Sequence, residues 1–130
     1  MTLLPGQRPS IRLLLVDDHP LVRDGLRARL DAMAHLRVVG EAGNGQDALT
    51  LAASQQPDVI ITDVRMPGMY GLTFLSHVKV SHPALPVIIM TAHSDLDSAV
   101  SSYQTGAFEY LPKPFDIDEA LLLVGRAIQH

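Results

Sequence analysis

The chain has 130 residues, the size of one ordinary domain. Hydrophobic residues make up 47% and charged residues 18%, a balance that supports a packed core and excludes an intrinsically disordered chain. The formal net charge is −4, so the chain lacks the basic surface expected of a protein that binds nucleic acid directly. The chain has no cysteine, which excludes disulfides, thiolate metal sites and thiol nucleophiles.

No uncharged apolar stretch is long enough to cross a bilayer. The first ten residues, MTLLPGQRPS, lack the basic start and the long apolar run of a secretory signal. We therefore expect residues 1–10 to form a flexible leader and residues 11–130 to form one soluble domain that acts in the cytoplasm.

Short apolar runs alternate along the chain with stretches of helical period. The predicted elements in chain order are strand 11–16, a helix from Pro20, strand 37–41, helix 46–55, strand 58–62, helix 72–80, strand 86–91, a short helix after Ser94, strand 107–111 and helix 117–128. Strands alternating with helices predict an α/β fold with parallel strands and right-handed crossovers. The strands at 11–16, 58–62 and 86–91 are almost wholly apolar, which indicates cover on both faces, whereas AFEYL at 107–111 is mixed and suits a sheet edge.

The first helix has a clear start and a predicted inner face. Pro20 stands where the first turn begins. Leu21, Leu26, Leu30 and Met33 recur at roughly helical spacing, which predicts that they face the core.

The second helix is marked at both ends. Asn44 is a candidate N-cap, Asp47 favours the positive end of the helix, and Pro57 closes it.

Capping signals also mark the last two helices. Ser94 is predicted to cap a short helix that carries Val100 and Tyr103, and Asp116 with Glu119 forms a start similar to a capping box.

Polar side chains gather at the carboxyl ends of the predicted strands, where ligand sites of open parallel sheets lie. They are Asp17 and Asp18 after the first strand, Asp63 after the third, Thr91 at the end of the fourth and Lys113 after the fifth. Three carboxylates brought together repel one another, and a hard divalent cation such as Mg²⁺ relieves that repulsion. A lysine beside them can pair with a carboxylate or with a phosphoryl oxygen.

Each of these residues has an ordinary explanation when it is taken alone. Asp17 could be a turn or cap residue, Thr91 a strand residue and Lys113 a solvated loop charge. The arrival of all five at one edge is not explained by capping.

Four motifs carry a resemblance to a known family. They are VDDHP at 16–20, TDVRMPGMYG at 62–71, MTAHS at 90–94 and YLPKPF at 110–115. Together they resemble the receiver domain of two-component response regulators over residues 11–128. The resemblance implies a flavodoxin-like (βα)5 fold, with a doubly wound five-stranded parallel sheet of order 2-1-3-4-5. The first half is similar to receivers of helix-turn-helix regulators, and the second half is similar to NtrC-type receivers.

The resemblance also implies a metal site and a phosphoacceptor. By position in the motifs, Asp63 would accept the phosphoryl group. Asp18 would bind Mg²⁺ directly and Asp17 largely through water. The backbone carbonyl of Arg65 would complete the protein ligands, and Mn²⁺ could substitute for Mg²⁺.

Four more residues receive roles from the same resemblance. Lys113 would hold a phosphoryl oxygen, and the bond between Lys113 and Pro114 would be cis. Thr91 would turn its hydroxyl to the phosphoryl group, and Tyr110 would move inward behind it.

The implied function is a phosphorylation-switched regulatory domain, which catalyses only its own phosphoryl transfer and dephosphorylation. A sensor histidine kinase or a phosphotransfer protein would supply the phosphoryl group. Phosphorylation would change the face formed by the fourth predicted helix, the fifth strand and the fifth predicted helix, roughly Asp95–Ile128, and would control an output such as transcription that lies outside this sequence. A second copy of the domain is a further expected partner, in a homodimer that depends on phosphorylation. Direct contact with nucleic acid or with a membrane is not expected of this domain.

Two other functions remain as alternatives. One is a receiver-like scaffold that does not use its phosphorylation site. The other is a small nucleotide- or flavin-binding enzyme, suggested by GNGQDA at 43–48, which fits G-x-G-x-x-A after a strand. The six histidines show no metal-ligand spacing, and His19 is predicted to cap the first helix. Tyr70 stands where many members of the family carry an acidic or amide residue, and we expect it to alter partner contacts.

Overall fold

The computed structural model describes residues 10–63, 71–92, 106–113 and 115–129. They form nine elements: β1 (Ile11–Val16), α1 (Pro20–Asp31), β2 (Leu36–Ala42), α2 (Gly45–Gln55), β3 (Val59–Asp63), α3 (Gly71–Ser81), β4 (Val87–Ala92), β5 (Glu109–Lys113) and α4 (Ile117–Gln129). All four strand pairs are parallel, and the strand order is β2-β1-β3-β4-β5. The predicted fold class and strand order are confirmed.

The sheet is covered on both faces because side chains of the central strands alternate between two buried layers. Leu13 and Leu15 of β1 pack into the layer of α1 and α4, whereas Leu14 and Val16 pack into the layer of α2 and α3. The helices contribute Leu26, Leu30, Ala120, Leu123, Val124 and Ala127 to the first layer and Ala48, Ala52, Phe74, Leu75 and Val78 to the second.

Helix α1 begins at Pro20 as predicted, but its inner face is narrower than the sequence suggested. Leu26 and Leu30 are buried, and Met33 packs partly against the same layer. Leu21 is 87% exposed, so its predicted place in the core is wrong. It lies in the first turn of α1 and is exposed to solvent.

Helix α2 is fixed at both ends by local chemistry. The Asn44 side chain accepts a hydrogen bond of 2.8 Å from the amide of Asp47, which confirms the predicted cap. At the other end Gln56 adopts a left-handed conformation, with φ 48° and ψ 62°, and this residue ends the helix immediately before Pro57.

Strand β5 lies two residues later than predicted. The apolar letters favoured residues 107–111, but the hydrogen-bonded ladder with β4 begins with Ile88 opposite Glu109 and ends with Ala92 opposite Lys113. Pro112 is tolerated inside β5 because the strand lies at an edge of the sheet. Lys113 is therefore the last residue of the strand rather than a residue of the segment that follows it.

One further local prediction can be compared with the structure. At the start of α4, Glu119 Oε1 accepts a hydrogen bond from the amide of Asp116, which confirms the part of the predicted capping arrangement that Glu119 supplies. The amide of Glu119 donates in return to the main-chain carbonyl of Asp116.

Gly106 has φ 117°, a conformation that favours glycine, and the stem of Lys79 packs against it. Burial of Lys79 lowers the pKa of its ammonium group.

Several predictions lie outside the described residues. They concern the leader at 1–9 and the helix expected after Ser94, with Val100 and Tyr103. None of the helices in the described part of the chain combines the length and the apolar composition that a membrane span requires.

Candidate functional site

The five polar residues predicted to meet do lie at the carboxyl edge of the sheet. Asp17 and Asp18 directly follow β1, while Asp63, Thr91 and Lys113 lie within the last two residues of β3, β4 and β5. The parallel register accounts for this, because it aligns the ends of neighbouring strands across the sheet.

Lys113 joins two of the carboxylates. Its Nζ lies 3.3 Å from Asp63 Oδ2 and 3.6 Å from Asp17 Oδ2. Asp63 and Asp17 are both buried, and the Lys113 side chain is about one quarter exposed. The ammonium group therefore offsets part of the carboxylate repulsion and remains open to solvent at the mouth of the site.

Asp17 is held in place by both its main chain and its side chain. Its amide donates to the carbonyl of Ala42 at 3.0 Å, which ties it to β2. Its Oδ1 accepts a hydrogen bond of 2.8 Å from the amide of His19. Its main-chain carbonyl accepts a hydrogen bond of 2.7 Å from Arg23 Nη1. These contacts leave Oδ2 as the oxygen that faces Lys113 and the site.

The carboxylates form a set that could hold a metal ion. Ligand atoms of Asp17, Asp18, His19 and Asp63 all lie within 4.8 Å of one another. Asp17 Oδ2 is buried and accepts no hydrogen bond from the described residues, and Lys113 Nζ lies 3.6 Å from it. A buried carboxylate oxygen without a hydrogen-bond donor is costly, and oxygen ligands are those that Mg²⁺ prefers. The donor set therefore fits a hard divalent cation.

His19 does not cap α1 through its side chain. It occupies the N-cap position, but its ring makes no capping hydrogen bond within the described part of the chain. Instead Nδ1 lies 3.0 Å from Asp17 Oδ1 and 3.0 Å from Asp18 Oδ1. The predicted position of His19 at the N-cap is thus confirmed, whereas its ring contacts the two carboxylates, which are stronger partners for an imidazole than a helix amide is. His19 is also the one histidine in the described part of the chain that lies within a group of possible metal ligands, and its neighbours there are carboxylates rather than other histidines.

The two residues assigned to switching lie on adjacent strands, Thr91 on β4 and Tyr110 on the edge strand β5. Thr91 is fully buried, and it pairs in register with Pro112. Tyr110 pairs with Ile89, two positions earlier along the same ladder, and its partly buried side chain packs against the layer of α2 and α3. The predicted positions of Arg65, Tyr70 and Pro114 lie outside the described residues.

A group of charged residues beside Asp17 was missed by the sequence analysis. Arg23 Nε lies 3.5 Å from Glu41 Oε1, and Arg27 donates to the other Glu41 oxygen and to Asp31 at 3.4 Å. The hydrogen bond to Glu41 raises the pKa of the Arg27 guanidinium above its ordinary value. The spacing of Arg23 and Arg27 by four residues places both on one face of α1, but nothing in the sequence indicates that Glu41 on β2 lies opposite them.

The glycine-rich segment at 43–48 has a structural explanation. Asn44 caps α2, and Gly43 lies where Arg23 approaches Asp17: a Cβ at Gly43 would stand 3.2 Å from Arg23 Nη1. The glycine that suggested a dinucleotide fingerprint thus accommodates a guanidinium group of the same chain.

Comparisons with known proteins agree with this fold and show the family of the chain. The family model "Response regulator receiver domain" matches residues 13–124, and the chain belongs to that family. The chain is 54% identical over 116 residues to the DNA-binding transcriptional regulator NtrC of Klebsiella pneumoniae, an alignment that covers 89% of this chain and 24% of the relative. It is 67% identical over 87 residues to NtrC of Escherichia coli K12, which covers 67% of this chain and 19% of that protein.

Solved receiver domains have the same architecture. The response regulator receiver domain protein from Clostridium thermocellum superposes with a TM-score of 0.86 at 31% identity, covering 91% of this chain and 94% of that one. The receiver domain of NtrX from Brucella abortus gives 0.82 at 31% identity, covering 90% and 98%. The protein is therefore a response regulator receiver domain, a regulatory domain that is similar to the matching part of NtrC proteins. It spans only about a fifth to a quarter of the length of the curated NtrC relatives.

Proposed function

We propose that this domain accepts a phosphoryl group on Asp63 from a phosphorylated histidine and uses it to switch an output. The observation that carries the proposal is the ammonium group of Lys113, 3.3 Å from an oxygen of buried Asp63 and beside the carboxylate pair of Asp17 and Asp18. This arrangement supplies a nucleophile, a positive charge and a candidate cation site within one small region.

Asp17, Asp18 and Asp63 would hold Mg²⁺, or Mn²⁺ in its place, with the main-chain carbonyl of Arg65 as the remaining protein ligand. When bound, the ion neutralises charge on the phosphoryl oxygens during transfer. The buried Asp17 oxygen that accepts no hydrogen bond within the described residues supports this assignment, as does the closeness of the Asp17, Asp18 and Asp63 ligand atoms.

The transfer itself requires positioning and electrostatics rather than elaborate covalent machinery. A carboxylate oxygen of Asp63 attacks phosphorus in line, a P–O bond forms, and the P–N bond to the donor imidazole breaks with its electron pair returning to nitrogen. Lys113 donates a hydrogen bond to an equatorial phosphoryl oxygen. Dephosphorylation repeats the attack with water as the nucleophile and releases phosphate, so the domain catalyses only reactions of its own side chain.

Phosphorylation would bias a two-state equilibrium. It adds about −1.5 to −2 charges at a site where Asp63 is buried, and new hydrogen bonds from Lys113 and the hydroxyl of Thr91 would favour one conformation. Thr91 is fully buried next to β5, which carries Tyr110, so a movement of Thr91 would open space for the Tyr110 ring. The changed surface would then include β5 and α4, in a phosphorylation-dependent homodimer or against an output domain.

The similar proteins support a proposal for the cellular setting of this domain. The similar proteins from Klebsiella pneumoniae and Escherichia coli are DNA-binding transcriptional regulators. We propose that a sensor histidine kinase or a phosphotransfer protein phosphorylates this domain in the cytoplasm, and that the regulated output is transcription. The net charge of −4 supports a role in which this domain itself does not contact DNA.

Phosphodonor labelling tests the proposal. Acetyl phosphate or phosphoramidate should label the protein only when Mg²⁺ is present, as read by intact-mass spectrometry. Asp63→Asn should abolish labelling and leave the circular dichroism spectrum unchanged. The matched control is Asp24→Asn, which changes an exposed carboxylate on α1 and should label at the normal rate. Absence of labelling in the unmodified protein would instead support a scaffold that does not use phosphorylation.

A further inference from the structure

Arg23 contacts the main chain of Asp17 rather than its carboxylate. Its Nη1 donates a 2.7 Å hydrogen bond to the main-chain carbonyl of Asp17, and its Nε faces Glu41 at 3.5 Å. The Arg23 side chain is only 21% exposed, and the Glu41 side chain 19%. The contact with Glu41 is an ion pair without a hydrogen bond, so the hydrogen bond to Asp17 is the specific contact of Arg23 among the described residues. A guanidinium group that is mostly enclosed by protein restricts the residue to which it donates.

We propose that Arg23 is a positioning residue for Asp17, and that Glu41 and Gly43 determine where its guanidinium lies. This inference rests on the proposed function, because it concerns the cation that Asp17 would bind. Asp17 is the first residue after β1, so its main-chain carbonyl lies at the point where the chain turns towards α1. Fixing that carbonyl limits rotation of the Asp17 backbone and keeps Oδ2 directed into the site.

Glu41 also keeps the Arg23 guanidinium from pairing with the carboxylates of the site. An arginine beside three carboxylates could pair with them and compete with a divalent cation. Glu41 offers Arg23 a carboxylate on the side away from the site, so the guanidinium contacts the Asp17 carbonyl rather than its carboxylate. Neutralising Glu41 would leave the positive charge of Arg23 free to turn towards Asp17 and Asp18.

Gly43 provides the space that this arrangement needs. A Cβ at this position would lie 3.2 Å from Arg23 Nη1 and 4.0 Å from the Asp17 carbonyl oxygen. A methyl group would therefore displace Arg23 Nη1 by a few tenths of an ångström and disturb its hydrogen bond to the carbonyl. Substitution of Gly43 thus disturbs the same contact as substitution of Arg23, without removing the charge.

Arg27 provides a matched control. It lies one turn further along α1, pairs with the same Glu41 and also with Asp31. Within the described residues, the side chain of Arg27 makes its ion pairs with Glu41 and Asp31 and makes none with Asp17. If Arg23 acted merely by joining α1 to β2, loss of Arg27 would have a similar effect on cation binding.

Magnesium titration followed by ¹H–¹⁵N NMR tests the inference on the full chain, with urea unfolding as a measure of stability. We expect Arg23→Ala and Gly43→Ala to weaken Mg²⁺ binding at least fivefold, and Arg27→Ala to change it less than twofold. Glu41→Gln should weaken binding at least twofold, and should have no further effect in the Arg23→Ala background. Arg23→Lys, which keeps one donor, should recover part of the affinity.

Labelling kinetics separate positioning from a general loss of structure. For Arg23→Ala, the Mg²⁺ concentration that gives half the maximal labelling rate with phosphoramidate should rise at least fivefold, while the rate at saturating Mg²⁺ stays within twofold of normal. Normal Mg²⁺ affinity in both Arg23→Ala and Gly43→Ala would overturn the inference, as would an equal loss in Arg27→Ala. If Arg23→Ala does not fold, Gly43→Ala and Glu41→Gln decide the question. Failure of the unmodified protein to bind Mg²⁺ would contradict the proposed function itself.

Discussion

Lys113 Nζ lies 3.3 Å from Asp63 Oδ2, although the two residues are 50 positions apart in the sequence. The contact spans two strand spacings, because β4 lies between β3 and β5. Since the Asp63 side chain is mostly buried, a single ammonium group can influence both its charge and the charge of a phosphoryl group placed on it. The consequences of this relationship can be measured.

Lys113→Ala should separate cation binding from phosphoryl transfer. Removal of the ammonium group leaves the Mg²⁺ ligands in place and removes a competing positive charge, so Mg²⁺ affinity should stay the same or rise. Labelling by phosphoramidate should slow by at least about tenfold, because a donor to the developing phosphoryl charge is lost. Lys79→Ala, at the opposite end of the sheet, is the control. Equal losses of Mg²⁺ affinity and labelling in Lys113→Ala would contradict the assigned role.

Asn44→Ala should lower the free energy of unfolding by about 1 kcal/mol, because α2 loses its N-cap hydrogen bond to the amide of Asp47. Urea denaturation measures the change. Asn44→Ser keeps an acceptor at the same place and should recover most of the loss. Equal destabilisation by serine and alanine would show that the cap does not stabilise the helix.

Gln56→Gly should raise the free energy of unfolding by about 1 kcal/mol, because Gln56 has φ 48° and glycine adopts this conformation without a Cβ penalty. The same replacement two residues earlier, Ser54→Gly, falls inside α2 and should lower stability by roughly 0.5–1 kcal/mol. Thermal or urea unfolding of the two variants shows whether each substitution raises or lowers the free energy of unfolding. A destabilised Gln56→Gly protein would argue against the left-handed helix end.

Phe74→Ala should lower the free energy of unfolding by about 3–5 kcal/mol, because Phe74 is fully buried between α3 and the sheet and its removal leaves a cavity. Val80→Ala on the same helix is the control, since Val80 is 84% exposed and its truncation should change stability by less than about 0.5 kcal/mol. Similar costs for both substitutions would mean that α3 is placed wrongly on the sheet.

Local patterns in the sequence were sufficient to predict most of the described strands and helices and the residues that meet at the candidate site. The apolar run at Ile11–Val16 predicts a buried strand, Asn44 predicts the start of α2, and Asp63 and Thr91 predict polar ends for two central strands. These signals depend on residues close together in the chain, where the periods of strands and helices and the capping hydrogen bonds operate.

Other features depended on which segments meet. The exposure of Leu21, the two-residue shift of β5 and the turn of the His19 ring towards Asp17 and Asp18 all differ from the prediction, because packing and strand register outweighed local preference. The contacts of Arg23 with Asp17 and Glu41 gave no sequence signal at all.

The amino-acid sequence by itself thus determined the alternation of strands and helices and the residue types available at one sheet edge, since period and capping are local properties. Only the tertiary structure decided the 3.3 Å approach of Lys113 to Asp63, the ring position of His19 and the anchoring of Asp17 by Arg23. Those distances arise from parallel register and from helix packing against both faces of the sheet, which couple residues that the chain itself keeps far apart.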